Sequence, residues 1–250
     1  MDVLNKLRLL YKNPRKFFRL VLEHSDVRGK IDPIKHPEYK DKFSLTLAEW
    51  IIYHQKDIAT KQVTWMGIPL WKNVLDLHVY QEIIFEQAPE VIVEIGSAYG
   101  GSTMYFANLC DALGRGTVVS IDLFRDTFVA KHDRIIAVTG NSTDLNVIQK
   151  VHEIVNGRSA LVIQDADHSK EIVLADLNNY SDLVSLNGYF IVEDGIADVF
   201  NPGNGVGRMI KGPLYAVEEF LAKNTSFIVD ESKERYLITQ NPKGYLKRIR

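Results

Sequence analysis

A single cysteine, Cys110, among 250 residues leaves no partner for an intramolecular disulfide and rules out a cysteine-based metal cluster. A reducing, cytoplasmic setting is therefore expected. Neither sign of charge is in excess: 30 Lys and Arg stand against 32 Asp and Glu, a formal net charge of -2, which argues against a general nucleic-acid-binding surface. Long apolar runs are also missing. The first residues, MDVLNKLRLLYKNPRKFFRLVLEHSD, hold no membrane-length hydrophobic stretch and no small-residue cleavage site, so neither a secretory signal nor a membrane span is expected. Repeats and low-complexity tracts are absent too. With 46% apolar and 25% charged residues, the chain reads as soluble and globular. It is long enough for one sizeable α/β domain with an appended segment and short for two independent cores.

What is present changes character near residue 90. The N-terminal segment is basic, with Lys6, Arg8, Lys12, Arg15, Lys16 and Arg19 against Asp2, interleaved with Leu, Phe and Val. An amphipathic packing or dimer helix is favoured there over a surface helix touching anionic lipid. Asn13-Pro14 reads as an N-cap followed by proline at the first helical position, dividing the segment into two short helices. Residues 1–90 are expected to be a helical and loop segment that is not independent, ending in the helically spaced NVLDLHVYQEIIFEQAPE. Residues 91–250 are expected to form the core.

Within that core, short apolar runs alternate with amphipathic stretches. Strands are predicted at VIVEI (91–95), GTVVSID (116–122), RIIAVTG (134–140), ALVIQD (160–165) and GYFIVED (188–194), with helices at 101–113, 143–156 and 169–185. GPLYAVEEFLAKN gives a further helix with Pro213 in its first turn, and SFIVD and RYLITQN give two more strands. Such alternation predicts a parallel sheet covered on both faces.

The first strand runs into VIVEIGSAYGGST, where Glu94, Gly96, Gly100, Gly101, Ser102 and Thr103 precede a helix. Glycines let the backbone approach a ligand, and a helix N-terminus offers unpaired N–H groups to an anion. The spacing is G-x-x-x-G-G-S with Ala98 at the second-glycine position, which departs from the dinucleotide fingerprint and disfavours an NAD-dependent oxidoreductase. Asp122 ends the next strand, where an acid accepts from a ribose. A plain tight turn for the loop and a helix cap for Asp122 are the structural alternatives. In TGNSTD (139–144), Ser142 is placed to face an adenine, with an ordinary N-cap at Ser142 or Thr143 as its alternative.

Two strands end in acid: Asp165 with Asp167 and His168, then Glu193 with Asp194. Ligands of open parallel sheets bind outside the carboxyl ends of the strands, so these groups should converge with the glycine loop on one crevice. Carboxylates about 4 Å apart repel by about 4 kcal/mol per pair at an effective dielectric near 20. A positive group is expected between them. A few carboxylates with open positions suit Mg²⁺ better than Zn²⁺ or a closed Ca²⁺ cage. His168 would then take a proton from a metal-bound hydroxyl. Capping at Asp165 and Asp194 and an ordinary surface role for His168 form the alternative, and Asp167 is expected in an outer or capping role.

These motifs, together with TWMGIPLWKNVLDLHVYQEII, VVSID, DADHSKEIVLADL, VED, GPLYAVEEFL and RYLITQNPKGYLKR, resemble the cephalosporin hydroxylase and rhamnosyl or methylmannose O-methyltransferase family, relatives of catechol O-methyltransferase. The resemblance covers about residues 62 to 250. It implies a Rossmann-like class I methyltransferase, an α/β fold with a mostly parallel, doubly wound seven-stranded sheet and an N-terminal helical segment. It further implies that Glu94, Gly96, Ser97, Gly100, Ser102, Asp122, Ser142 and Asp165 lie about S-adenosylmethionine, with Asp122 on its ribose. Asp165, Glu193 and Asp194 match the family's Mg²⁺ ligands and His168 its catalytic base. Catechol enzymes carry a lysine at that position, so histidine favours a sugar or other aliphatic hydroxyl.

The expected activity is thus Mg²⁺-dependent O-methylation of a sugar, glycan or glycosylated small metabolite. Its rivals are a hydroxylase-like component for oxidation of a small metabolite and an inactive partner subunit. Self-association through the N-terminal helices stays open. The glycine-rich loop 195–212 reads as a lid, with Arg208 or Lys211 meeting an acidic acceptor. Trp65 and Trp71 are candidates for stacking on a sugar ring, with core packing as the alternative for each.

Overall fold

The computed structural model describes residues 44–200 and 211–250. The basic N-terminal segment, its two expected helices, Arg208 and most of the expected lid lie outside the described residues. Leu47–Arg250 forms one compact unit.

That unit opens with helix α1 (Leu47–Tyr53), which runs into a π-helical turn, His54–Ala59, and a small hairpin of β1 (Thr64–Trp65) and β2 (Ile68–Pro69). Then follow α2 (Val74–Gln87), β3 (Val91–Ile95), α3 (Gly101–Ala112), β4 (Thr117–Asp122), β5 (Ile135–Thr139) and α4 (Leu145–Val155). The chain continues through β6 (Ala160–Gln164), α5 (Lys170–Tyr180), β7 (Tyr189–Val192), α6 (Ile196–Phe200) and α7 (Pro213–Lys223) to β8 (Phe227–Val229) and β9 (Tyr245–Arg248). Seven strands form one sheet in the order β5-β4-β3-β6-β7-β9-β8. The first five are parallel, and β9 runs antiparallel to both β7 and β8.

The predicted parallel core is present, and the strand starts and ends fall within two residues of those read from the sequence. Strand β3 lies in the middle, with Val91 beside Thr117 on one side and Ala160 on the other. Its apolar run is continuous because both faces are covered: Val93, Val119, Val162 and Phe190 pack beneath α4, α5 and α7. Ile92, Val118, Leu161 and Ile191 pack beneath α2 and α3. Each such fully buried side chain contributes roughly 1.5–3 kcal/mol. Reversal of strand order beside β3 places the ends of β3, β4 and β6 around one opening, the usual ligand position in this topology.

Two readings are corrected. Residues 169–185 are not one helix, since α5 ends at Tyr180 and a single 3₁₀ turn, Ser181–Leu183, follows. RYLITQN is not a strand. Asp76, buried within α2, draws this segment in as a loop: its carboxylate accepts from Thr239 Oγ1 (2.6 Å), Gln240 N (2.8 Å) and Tyr245 Oη (2.9 Å). Leu237 meanwhile has a left-handed φ of 62° and stays exposed, so alternation breaks there. The strand that closes the sheet is YLKR, at Tyr245–Arg248. Among the described residues no helix is long and apolar enough to cross a membrane.

Candidate active site

A cavity of about 580 Å³ opens at the carboxyl ends of β3, β4 and β6, a volume in the usual range for small-molecule sites. Its walls include Gly96, Ser97, Asp122, Ser142, His168 and Asp194. Gly96 has φ +90°, and a Cβ there would lie 2.2 Å from the Asp165 carbonyl oxygen, so only glycine lets the β3 loop approach the end of β6. Asp122 then fixes the loop from the neighbouring strand. Its Oδ2 accepts from Ser97 N and Ala98 N, both at 2.9 Å, and its Oδ1 from Phe124 N at 3.1 Å. Burial would raise the Asp122 carboxyl, but those three N–H donors hold it below its ordinary value. No helix begins at Asp122, so it is not a cap.

Sequence reasoning missed Arg125. Its guanidinium underpins the same loop by donating to Ser97 Oγ (2.9 Å), Ser120 Oγ (3.0 Å) and the Val138 carbonyl (2.9 Å). Nothing in the sequence beyond its closeness to Asp122 pointed to it.

Ser142 lies at the cavity wall, and its carbonyl accepts from Tyr180 Oη at 2.6 Å. Asp144 is the N-cap residue of α4, so neither Ser142 nor Thr143 takes that place. Behind Ser142, burial pushes the Asp176 carboxyl up to about 6 from 3.8, against hydrogen bonds from Ser142 and Gln164. The folded state thus binds this proton more tightly than the unfolded one. Its contribution is fully present below about pH 3.8 and is lost as pH rises to about 6, a loss of about 3 kcal/mol. Asp176→Asn is accordingly expected to be more stable than the wild type at pH 8 and to lose that advantage at pH 4. Denaturant unfolding at the two pH values measures this, and an equal difference at both would contradict it.

At the far side of the opening, the structure brings together Asp165, His168 and Asp194. One ligand atom from each lies within 4.8 Å of the others. His168 Nε2 is 3.3 Å from Asp194 Oδ2, and its Nδ1 is buried without a hydrogen-bond partner among the described residues. Burial raises the Asp194 carboxyl, and the His168 charge works against that rise. Asp167 Oδ1 accepts from Ser169 N at 2.7 Å, a turn that starts α5.

Glu193 faces elsewhere. Its Oε1 accepts from Lys72 Nζ at 2.6 Å, and the same ammonium donates to Asp165 Oδ2 at 2.6 Å. The Lys72 side chain is only 1% exposed. Burial alone would lower the Lys72 pKa, but the carboxylates of Asp165 and Glu193 hold it above its ordinary value, so it stays an ammonium. Burial and Asp165 keep the Glu193 carboxyl well above its usual range despite Lys72. The positive group expected within the acids is thus supplied in part by the chain itself. Its only sequence signal was a lysine set in the apolar run IPLW before a helix cap.

Not every candidate reaches the cavity. Glu94 is fully buried behind the loop, accepts from Thr103 Oγ1 and is pushed up to about 7 by burial. Gly100 has φ +88° and is the N-cap residue of α3. Neither they nor Glu193 line the wall, whereas Ser102 does. The tryptophans also separate. Trp65 packs edge-on to Tyr105 and donates to Asn108 Oδ1 at 2.8 Å, a packing role. Trp71 is 46% exposed, lies at the cavity wall edge-on to Tyr99, and has a left-handed φ of 56°.

The two carboxylates, partly exposed and facing a cavity, offer a hard divalent cation oxygen donors and leave room for water and substrate oxygens, with the His168 imidazole beside them. The glycine-lined wall, with Asp122 at its edge, suits a nucleoside.

The fold is that of the class I methyltransferases. A solved structure of CmcI with Mg and SAM superimposes with a TM-score of 0.62 at 21% identity, covering 78% of each chain. CmcI without ligand gives 0.59 at 22%, covering 75% of this chain and 76% of the other. The family model for rhamnosyl O-methyltransferase/CmcI matches residues 58–249, and the chain belongs to that family of O-methyltransferases. The rhamnosyl O-methyltransferase of Mycobacterium leprae is 32% identical over 177 residues, covering 69% of this chain and 76% of its own length. That of Mycobacterium tuberculosis H37Rv is 29% identical over 211 residues, covering 80% and 84%.

Proposed function

We propose that the chain transfers a methyl group from S-adenosylmethionine, with Mg²⁺, to a hydroxyl of a sugar, glycan or glycosylated small metabolite in the cytoplasm. The observation that carries this reading is the meeting, in one cavity, of the Gly96–Asp122 wall with the Asp165–His168–Asp194 cluster. Rhamnosyl O-methyltransferase relatives support a sugar acceptor.

In this reading the Gly96 loop holds the donor and Asp122 accepts from its ribose hydroxyls. Ser142 lies beside the adenine. Asp165 and Asp194 hold Mg²⁺, with Glu193 behind them, and the metal when bound acidifies and orients the acceptor hydroxyl. His168 receives the hydroxyl proton at Nε2, where Asp194 at 3.3 Å steadies the imidazolium. The oxygen then displaces the methyl from sulfur in line, leaving S-adenosylhomocysteine. Holding both reactants in one cavity supplies much of the acceleration. Trp71, half exposed at the wall, offers a flat face to a sugar ring. One imidazole with two carboxylates also differs from the two-histidine, one-carboxylate set of iron oxygenases, which weighs against the hydroxylase alternative.

Methyl-labelled S-adenosylmethionine incubated with a panel of alkyl rhamnosides, other glycosides and a catechol tests the reading. Label is expected in a sugar ether, with Mg²⁺ required and the catechol a poor acceptor. Transfer undiminished by chelator would remove the metal from the reaction, and transfer to the catechol alone would remove the sugar.

A further inference from the structure

Lys72 has no place in the roles just described. It enters the cluster from the connection between β2 and α2, preceded by Trp71 in a left-handed conformation and followed by Asn73, whose side chain caps α2 through Leu75 N at 3.0 Å. Strain on one side and a cap on the other fix where the lysine backbone lies. Neither Lys72 nor Glu193 lines the cavity, so the ammonium stands behind the carboxylates. A buried charge persists only when it is paired, and Lys72 is paired twice at 2.6 Å.

The pair with Asp165 constrains what that carboxylate can offer a metal. Asp165 gives Oδ2 to the ammonium, so a cation that takes both oxygens of this carboxylate must share Oδ2 with a group of its own charge, while Glu193 holds the same ammonium from behind through Oε1. Ca²⁺ takes six to eight oxygens and readily uses both oxygens of a carboxylate, whereas Mg²⁺ keeps a strict octahedron, several waters and single carboxylate oxygens. We propose that Lys72 is a positioning residue that sets the metal preference of the site: by holding one oxygen of Asp165, it disfavours two-oxygen coordination by that carboxylate and favours Mg²⁺ over Ca²⁺. The inference rests on the divalent-cation site of the proposed function. It adds a second consequence, because the ammonium also keeps the acids in place when no metal is bound.

Calorimetric titration of the full chain with Mg²⁺ and, separately, with Ca²⁺ tests this without recourse to activity. The wild type is expected to bind Mg²⁺ more tightly than Ca²⁺. Lys72→Met, similar in length and uncharged, is expected to shift the ratio of the two affinities toward Ca²⁺ by about tenfold or more. Lys72→Arg keeps a cation beside Asp165, and its ratio is expected to lie closer to the wild type than that of Lys72→Met. An unchanged ratio in folded Lys72→Met would overturn the inference. So would a wild type that takes Ca²⁺ as tightly as Mg²⁺, a comparison that needs no variant to fold. Binding of neither cation by the wild type would instead overturn the metal site of the proposed function, and the inference with it.

Discussion

His168→Ala is expected to bind S-adenosylhomocysteine as the wild type does and to lose methyl transfer by about 10²- to 10⁴-fold. The two halves of that result separate because the side chain stands on the acid side of the cavity. In the proposed function donor binding depends on the Gly96 loop, Asp122 and Ser142, which are held by Arg125, Tyr180 and strand pairing rather than by His168. Its imidazole is about 29% exposed, so its removal opens little of the core. In the proposed function the variant loses a proton acceptor that sits 3.3 Å from a carboxylate. Single-turnover transfer and calorimetry on the same preparation read the two halves. Full transfer would remove the base, and lost donor binding would show that the cavity depends on His168 for its shape.

Asp122→Ala is expected to weaken S-adenosylhomocysteine binding by about 100-fold. Two ribose hydroxyls donating to a carboxylate are together worth about 3 kcal/mol, which is two decades of affinity. The same substitution leaves Ser97 N and Ala98 N without their acceptor, so the loop also loses its anchor. Asp122→Asn tells the two effects apart, since its amide oxygen still accepts from the loop. Tight binding in the Asn variant and weak binding in the Ala variant would assign the loss to the loop. Comparable weakening in both would assign it to the ribose.

Much of the sheet was legible because β3, β4, β6 and β7 are buried on both faces, and continuous apolar runs between amphipathic helices have few other solutions. RYLITQN misled because alternation records only side-chain polarity, while Asp76, more than 160 positions away, decided its conformation through hydrogen bonds. The site followed the same division. Gly96, Asp122, Asp165, His168 and Asp194 stand at strand ends, where topology alone brings them together. Lys72 and Arg125 come from connections, and their partners are distant carboxylates, serine hydroxyls and backbone carbonyls, so spacing could not reveal them. Glu193 and Asp194 follow the end of β7, and the left-handed φ of 59° at Asp194 turns the chain there, so one side chain meets Lys72 and the other the cavity, which no sequence pattern shows.

The glycine wall and the acidic cluster are proposed to form one methyl-transfer site. Titration of the wild-type chain with S-adenosylhomocysteine by calorimetry, once with Mg²⁺ and once with a chelator, tests it most directly. Saturable binding at one site per chain is expected, weakened in Asp122→Ala. Absence of binding in both conditions would contradict it.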